Sequence, residues 1–332
     1  MKMKKFLITL LSVLFVATSA NAVNMVEVQS YLNVPVHIIG IPDFPPFAYY
    51  EADDRGIRTF HSILHEPLVK ALKKHNVRVE DAQISGEEAD NVKLLLVKAK
   101  SGGAEAFIGA YADTKLFSGL EIIYPAIVFN PVHLITLSGN ETKIKTLDDL
   151  KNMRVVASRT EYYSDFVLRK FKELNVQFVN SPYEAYEAVI TGKADYMFGS
   201  MYYNRIMASR YGVGDYLKYS KNPVWNIPFF VALSKMMPVL SEYKRVLSNE
   251  FENPEFAEEV KQEILDAVNE EVNRNAGIVP PSFIKEIEQK QEFDDDEEVE
   301  ENEAESENKA SSGHIVKKEV HQKTIDEVLD GI

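Results

Sequence analysis

The residues best suited to chemistry lie in short polar strings between apolar runs. Ser158-Arg159-Thr160 stands between an apolar stretch over 154–158 and a helical pattern over 161–174. Backbone N–H groups at a helix start hold anions and an arginine adds a bidentate fork, so this string is a candidate anion grip. The plainer alternative is an ordinary helix cap beside a solvent-facing arginine. His61 and His65 are four residues apart, next to Glu66. On a helix that spacing sets both imidazoles on one face, where a metal binds. No His-Glu-x-x-His order or obvious third ligand accompanies them, so a packed or solvated helix face is the reading and no metal is assigned. The chain shows no Gly-x-Ser-x-Gly, no phosphate-cradling glycine loop and no pair of carboxylates at a recognisable catalytic spacing. No catalytic residue, cofactor or enzymatic activity is therefore nominated. Cysteine is absent, which excludes a disulfide, a thiolate metal site, a thiol nucleophile and a lipid carried on cysteine.

The elements that must position these residues alternate strand and helix. Residues 34–41 are apolar and β-branched, and end in the rigid aromatic loop Asp43-Phe44-Pro45-Pro46-Phe47. Helical spacing follows over 60–74 and 91–99. The second pattern closes on Ser101-Gly102-Gly103, a helix C-cap signal. Extended stretches are expected over 106–110, 128–137, 154–158, 176–179, 194–199 and 224–233. Helices are expected over 161–174, over 181–190 with Ser181 as cap, over 242–252, and over 254–273 behind Asn253-Pro254. Thr146 with Asp149 is a capping pair. Alternation of this kind predicts mostly parallel sheets with helices on their faces.

One pattern occurs twice. Gly102-Gly103-Ala104-Glu105-Ala106-Phe107-Ile108-Gly109 matches Gly192-Lys193-Ala194-Asp195-Tyr196-Met197-Phe198-Gly199. Each copy reads as a turn after a helix that feeds a short buried strand. A single repetition at domain spacing predicts two similar lobes, because solenoids need at least three short repeats. Two lobes imply a cleft, and a cleft is where a ligand binds.

The ends of the chain point to export and to a tail. Met1-Lys2-Met3-Lys4-Lys5 is basic, residues 6–16 are almost wholly apolar, and Ala20-Asn21-Ala22 is a small-x-small cleavage site. Residues 1–22 are expected to be a signal peptide, with the mature chain starting at Val23 in the periplasm, unlipidated. The apolar run is too short to serve comfortably as a membrane span. The formal charge is −14, but Glu292 to Glu307 holds eleven acids and no base. The remainder is only mildly acidic and forms no basic stripe, so nucleic acid is not an expected partner. The acidic run lacks the spacing of a calcium loop and reads as a disordered, solubilising linker. Residues 325, 328, 329 and 332 are apolar and would share one face of a short helix.

In order and spacing, residues 34–276 resemble the family 3 periplasmic solute-binding proteins of the amino-acid-binding type. Asp43-Phe44-Pro45-Pro46-Phe47 resembles that family's first-strand Pro-Phe loop. Lys145-Thr146-Leu147-Asp148-Asp149-Leu150-Lys151-Asn152-Met153-Arg154-Val155 resembles the start of its second lobe. Glu184-Ala185-Tyr186-Glu187-Ala188-Val189-Ile190-Thr191-Gly192-Lys193-Ala194-Asp195 resembles the helix and turn before its last central strand. The resemblance implies a two-lobed α/β flytrap fold, of type II, that closes on its ligand by hinge motion. It also implies a ligand site along the ends of the repeated strands. An arginine that grips a carboxylate is expected near Leu116, where this chain offers only Lys115, a point charge without a fork. An aspartate that holds an ammonium is expected at the position of Ser200. Both departures point to a ligand other than a standard α-amino acid.

The expected ligand contacts are Phe44, Tyr111, Ser158, Arg159, Thr160 and Ser200, with Phe44 more open to a ligand than Phe47. The expected domains are lobe 1 over 33–131 plus 229–276 and lobe 2 over 132–228. A short helical extension over 277–291, an acidic disordered linker over 292–313 and an amphipathic tail over 314–332 would follow. The leading functional expectation is capture of a small solute for delivery to an ABC-type permease. The alternative is an interaction or sensory protein that retains the fold and binds a partner through its tail. An enzyme on the same fold ranks last, for want of an acid or base.

Overall fold

The computed structural model describes residues 35–54, 57–139, 144 and 146–285. The expectations for 1–22, 292–313 and 314–332 lie outside the described residues. The described residues divide into two compact units, the first running to Val128 and including Pro228–Glu263, the second comprising Phe129–Ile227 and residues 264–285.

The first unit contains β1 (Val36–Gly40), β2 (Tyr49–Ala52), β3 (Ile57–His61), α1 (His65–Lys73), β4 (Val79–Asp81), β5 (Gln83–Ser85), α2 (Gly86–Ala89), α3 (Val92–Lys100), β6 (Ala106–Ala110) and β7 (Leu120–Ile122). The second contains most of β8 (Val128–Leu137), then β9 (Val155–Ser158), α4 (Asp165–Glu173), β10 (Gln177–Val179), α5 (Pro182–Ile190), β11 (Tyr196–Ser200), α6 (Met201–Arg210) and β12 (Leu217–Tyr219). Strand β13 (Trp225–Ser234) leads back into the first unit, followed by α7 (Leu240–Phe251) and α8 (Pro254–Arg274). In the first unit β1 lies parallel to β4 and β6, and β6 pairs antiparallel with β13. In the second, β9 lies parallel to β10 and β11, and β11 pairs antiparallel with β8. The two sheets thus share one pattern of three parallel strands and one antiparallel neighbour. Among the described residues no helix is long and apolar enough to cross a membrane.

The repeated sequence marks equivalent strands, β6 and β11, and its acid fixes their register. Glu105 donates its N–H to the His37 carbonyl at 3.1 Å, while its carboxylate accepts the His37 N–H at 2.8 Å. Asp195 does the same at Arg154, donating to its carbonyl at 2.8 Å and accepting its N–H at 2.8 Å. Each acid therefore clamps its strand to the backbone at the start of the parallel neighbour, at His37 in β1 and at Arg154 just before β9. The leading glycine of each copy is left-handed, at φ +80° for Gly102 and +70° for Gly192, just beyond the ends of α3 and α5. Glycine adopts that conformation without the steric cost of a Cβ.

Three expectations are corrected. The helix expected over 60–74 is a strand as far as His61 and a helix only from His65. Phe60 pairs with Tyr50 across the β2–β3 hairpin, with ring centroids 5.3 Å apart, and this pairing overrides the helical spacing. The helix expected from Glu161 starts at Asp165, where the Ser164 hydroxyl accepts the Val167 N–H at 3.3 Å. The second half of α8, placed by sequence in the first lobe, groups with the second unit, where Glu271 pairs with Arg210. Beyond α8, Ile284 is 1% exposed in the second unit's core, and Phe283 packs on Tyr183 at 5.8 Å.

Candidate functional site

In the first unit the aromatic loop closes on itself. Phe44 and Phe47 are both 0% exposed. Their rings lie 5.8 Å apart, and Phe229 of β13 packs against Phe47 at 4.8 Å and Phe44 at 6.2 Å. Tyr111, just after β6, meets Phe229 edge-on at 5.7 Å and is buried. A Cβ on Gly109 would stand 2.8 Å from the Phe229 ring, so this glycine lets the ring lie on the strand. Contrary to expectation, Phe44 is no more open than Phe47, because both are members of one cluster. Aromatic contacts of this kind contribute about 0.5–1.5 kcal/mol each beyond burial.

In the second unit the serine and threonine of the candidate anion grip bond to each other. Ser158 is buried, and its hydroxyl accepts the Thr160 N–H at 3.2 Å and lies 2.9 Å from the Thr160 hydroxyl. Arg159 is exposed, with its guanidinium 5.5 Å above the Phe178 ring and its N–H bonded to the Val179 carbonyl. This loop is not a helix start, since α4 begins at Asp165 under its own Ser164 cap. The basis for an anion grip there is therefore corrected, because the string has no helix N-terminus of its own.

The most elaborate polar arrangement among the described residues of this unit centres on Glu161, a position inside the helix expected over 161–174. Its side chain is fully buried and surrounded by donors. The Ser200 N–H donates to Oε1 at 2.6 Å, and the Ser200 hydroxyl donates to the same oxygen. Asn204 Nδ2 donates to Oε2 at 3.0 Å, and the Tyr163 hydroxyl donates there at 3.1 Å. Asn204 is held in turn, donating to the Ser200 carbonyl at 2.9 Å and accepting from the Tyr186 hydroxyl at 2.8 Å. Its amide lies directly over Gly199, where a Cβ would collide with it. Burial pushes the Glu161 pKa up, and the hydrogen bonds from Ser200 and Asn204 pull it only part of the way back. Burial also pushes the Tyr163 and Tyr186 hydroxyls well above the usual phenol range, assisted by the charge of Glu161. The carboxylate sits at the N-terminus of α6, where negative charge complements the helix dipole.

The structure thus places Ser158, Thr160 and Ser200 in one unit, and of these Ser200 bonds to Glu161, a residue the sequence did not nominate. Phe44 and Tyr111 belong to the first unit's aromatic core. Ser200 is spent: it is 0% exposed, and both its N–H and its hydroxyl go to Glu161. The only signal that could have singled out Glu161 is its place directly after Ser158-Arg159-Thr160. The two histidines fall on different elements, His61 on β3 stacked on Tyr49 and His65 opening α1, so the one-face argument for a metal does not apply. No cluster of three His, Asp or Glu side chains suited to a metal occurs among the described residues.

Comparison with known proteins finds similarity in solved structures only. The periplasmic VFT2 domain of BvgS from Bordetella pertussis shares 18% identity, with 73% of this chain and 97% of that one covered and a TM-score of 0.51. The second substrate-binding domain of a putative amino acid ABC transporter from Streptococcus pneumoniae shares 17% identity, with 70% of this chain and 99% of that one covered and a TM-score of 0.50. No family model and no curated protein matches the chain. At these identities the likeness shows the fold: two α/β lobes of the periplasmic-binding, or flytrap, type.

Proposed function

We propose that this chain is a periplasmic protein of the solute-binding type, related to the amino-acid-binding family, that captures a small solute between its lobes and delivers it to an ABC-type permease. The fold supports capture, because two lobes that enclose a ligand let it select the closed population. Residues 1–22 would direct export, leaving an unlipidated mature chain. The observation that carries the choice of ligand is the commitment of Ser200 to Glu161. A carboxylate enclosed by protein donors is not offered to a ligand ammonium, and Lys115 lacks the fork for a ligand carboxylate. The solute is therefore of another chemical class than the standard α-amino acids.

A second reading is favoured by the same network. A lobe whose polar anchors are satisfied internally fits an interaction or sensory protein that kept the fold and recruits a partner through its tail. Thermal-shift screening of the mature chain against a solute library separates the two. A solute at a hundred times its Kd adds about 2.7 kcal/mol, or several degrees in Tm. The transport reading expects such a rise with at least one solute and none with the standard amino acids. A well-folded sample that no solute stabilises would sink it.

A further inference from the structure

The face of the second sheet beneath α5 and α6 holds polar groups without partners among the described residues. His133 stands two residues before Ile135 on β8 and so points to the same face. Ile135 pairs in register with Met197 of β11 and Tyr219 of β12, and Ile135 and Met197 belong to the core packed under these helices. The His133 ring is 0% exposed. Its Nδ1 lies 2.9 Å from the Ser220 carbonyl, which can only accept, so Nδ1 carries the proton and Nε2 is an acceptor. Nε2 is buried without a hydrogen-bond partner among the described residues, and so is the Tyr219 hydroxyl. The two rings meet edge-on with centroids 6.3 Å apart. Arg205 lies one turn before Ala208, the α6 residue in that core, and Tyr219 packs against the same core. Arg205 is half-buried, no carboxylate among the described residues pairs with it, and its charge favours, while that of the buried Glu161 opposes, ionisation of Tyr219.

We propose that Arg205, Tyr219 and His133 form a binding site for a small oxyanion that still carries a proton, of the hydrogenphosphate or hydrogencarbonate class. The chemistry of the three groups sets this choice. The guanidinium and the phenol donate to two anionic oxygens, and Nε2 accepts the O–H that remains. A fully deprotonated anion such as sulfate satisfies the donors but leaves Nε2 bare. Buried polar atoms in native proteins are nearly always paired, so two unsatisfied groups on adjoining rings, with a half-buried cation on the helix above that face, mark a ligand position. The site lies within the second unit, and its occupancy does not depend on the solute proposed above.

The test is calorimetric and thermal-shift titration of the mature chain near neutral pH, at fixed ionic strength, with inorganic phosphate, bicarbonate, sulfate and chloride. Saturable stabilisation is expected with phosphate or bicarbonate, whichever the site accommodates, and weaker stabilisation with sulfate. Arg205→Met should weaken that binding about tenfold or more, the usual scale for a lost charge-assisted contact. Tyr219→Phe should weaken it less while leaving the chain folded. The proposal is overturned if neither proton-bearing anion acts, if sulfate acts equally well, or if Arg205→Met changes nothing. It is also overturned if Tyr219→Phe simply stabilises the chain without altering the anion effect, as removal of a merely unpaired hydroxyl would.

Discussion

Glu161 ties three donor side chains and one backbone N–H into the buried centre of the second unit. Removing the carboxylate leaves Ser200, Asn204 and Tyr163 without their shared acceptor. Glu161→Ala is therefore expected to cost about 3 kcal/mol or more in urea unfolding, the scale for breaking a buried charged network. The pH dependence has a definite sign. Burial raises the folded-state pKa of Glu161 above its unfolded value, so the folded chain holds this proton more tightly. The resulting stability is full below the unfolded value, about 4.3, and is lost as pH rises through the folded one. Relative to Glu161→Gln, the wild-type chain should lose stability as pH climbs from about 4 toward neutrality. A constant difference between the two across that range would contradict the assignment.

At the scale of elements, the repeat carries its own explanation. Its first glycine ends a helix in a left-handed turn, its acid clamps a strand to its parallel neighbour, and its apolar residues fill the sheet. Gly192→Ala isolates the first of these effects, since nothing lies within 4 Å of the added Cβ. The expected loss is about 1 kcal/mol, from backbone strain alone. Asp195→Ala should cost about 1 kcal/mol through the lost Arg154 contacts, a modest figure because this pair is partly solvent-exposed. The Arg154 guanidinium holds the Asp195 pKa below its usual value. Its contribution is therefore present at neutral pH and fades as pH falls below about 4. Equal destabilisation by Asp195→Ala at neutral pH and at pH 2 would refute the clamp. Most of these elements were legible in the sequence. The expected extended stretch over 128–137 is β8, Ser181 caps α5 with a 3.2 Å bond, and Asn253 caps α8 at 3.0 Å. The β2–β3 hairpin was not legible, because Phe60 and Leu64 fit a helical period as well as a strand followed by a turn.

At the scale of the whole molecule, the chain passes between its two units at Val128–Phe129, Ile227–Pro228 and again within α8 at Glu263–Ile264. The segment after α8 packs Phe283 and Ile284 onto the second unit. If the tail recruits a partner, deleting residues 315–332 should abolish capture in a pull-down and leave Tm unchanged. An unchanged set of captured proteins would count against the interaction reading.

The sequence by itself determined the alternation of strands and helices, the two-lobed plan and the caps, because these rest on periodicity and on contacts a few residues apart. Through its resemblance it also raised the expectation that the residues following the two strand copies differ from the family's ligand anchors. Only the tertiary structure decided what those residues do. Ser200 meets Glu161 across 39 positions, and His133 meets Ser220 across 87. Whether a serine is open to a ligand or spent on a buried carboxylate depends on which distant donors and acceptors the fold brings together. Neither periodicity nor composition encodes that pairing, since each of these residues fits its local element equally well with or without its partner.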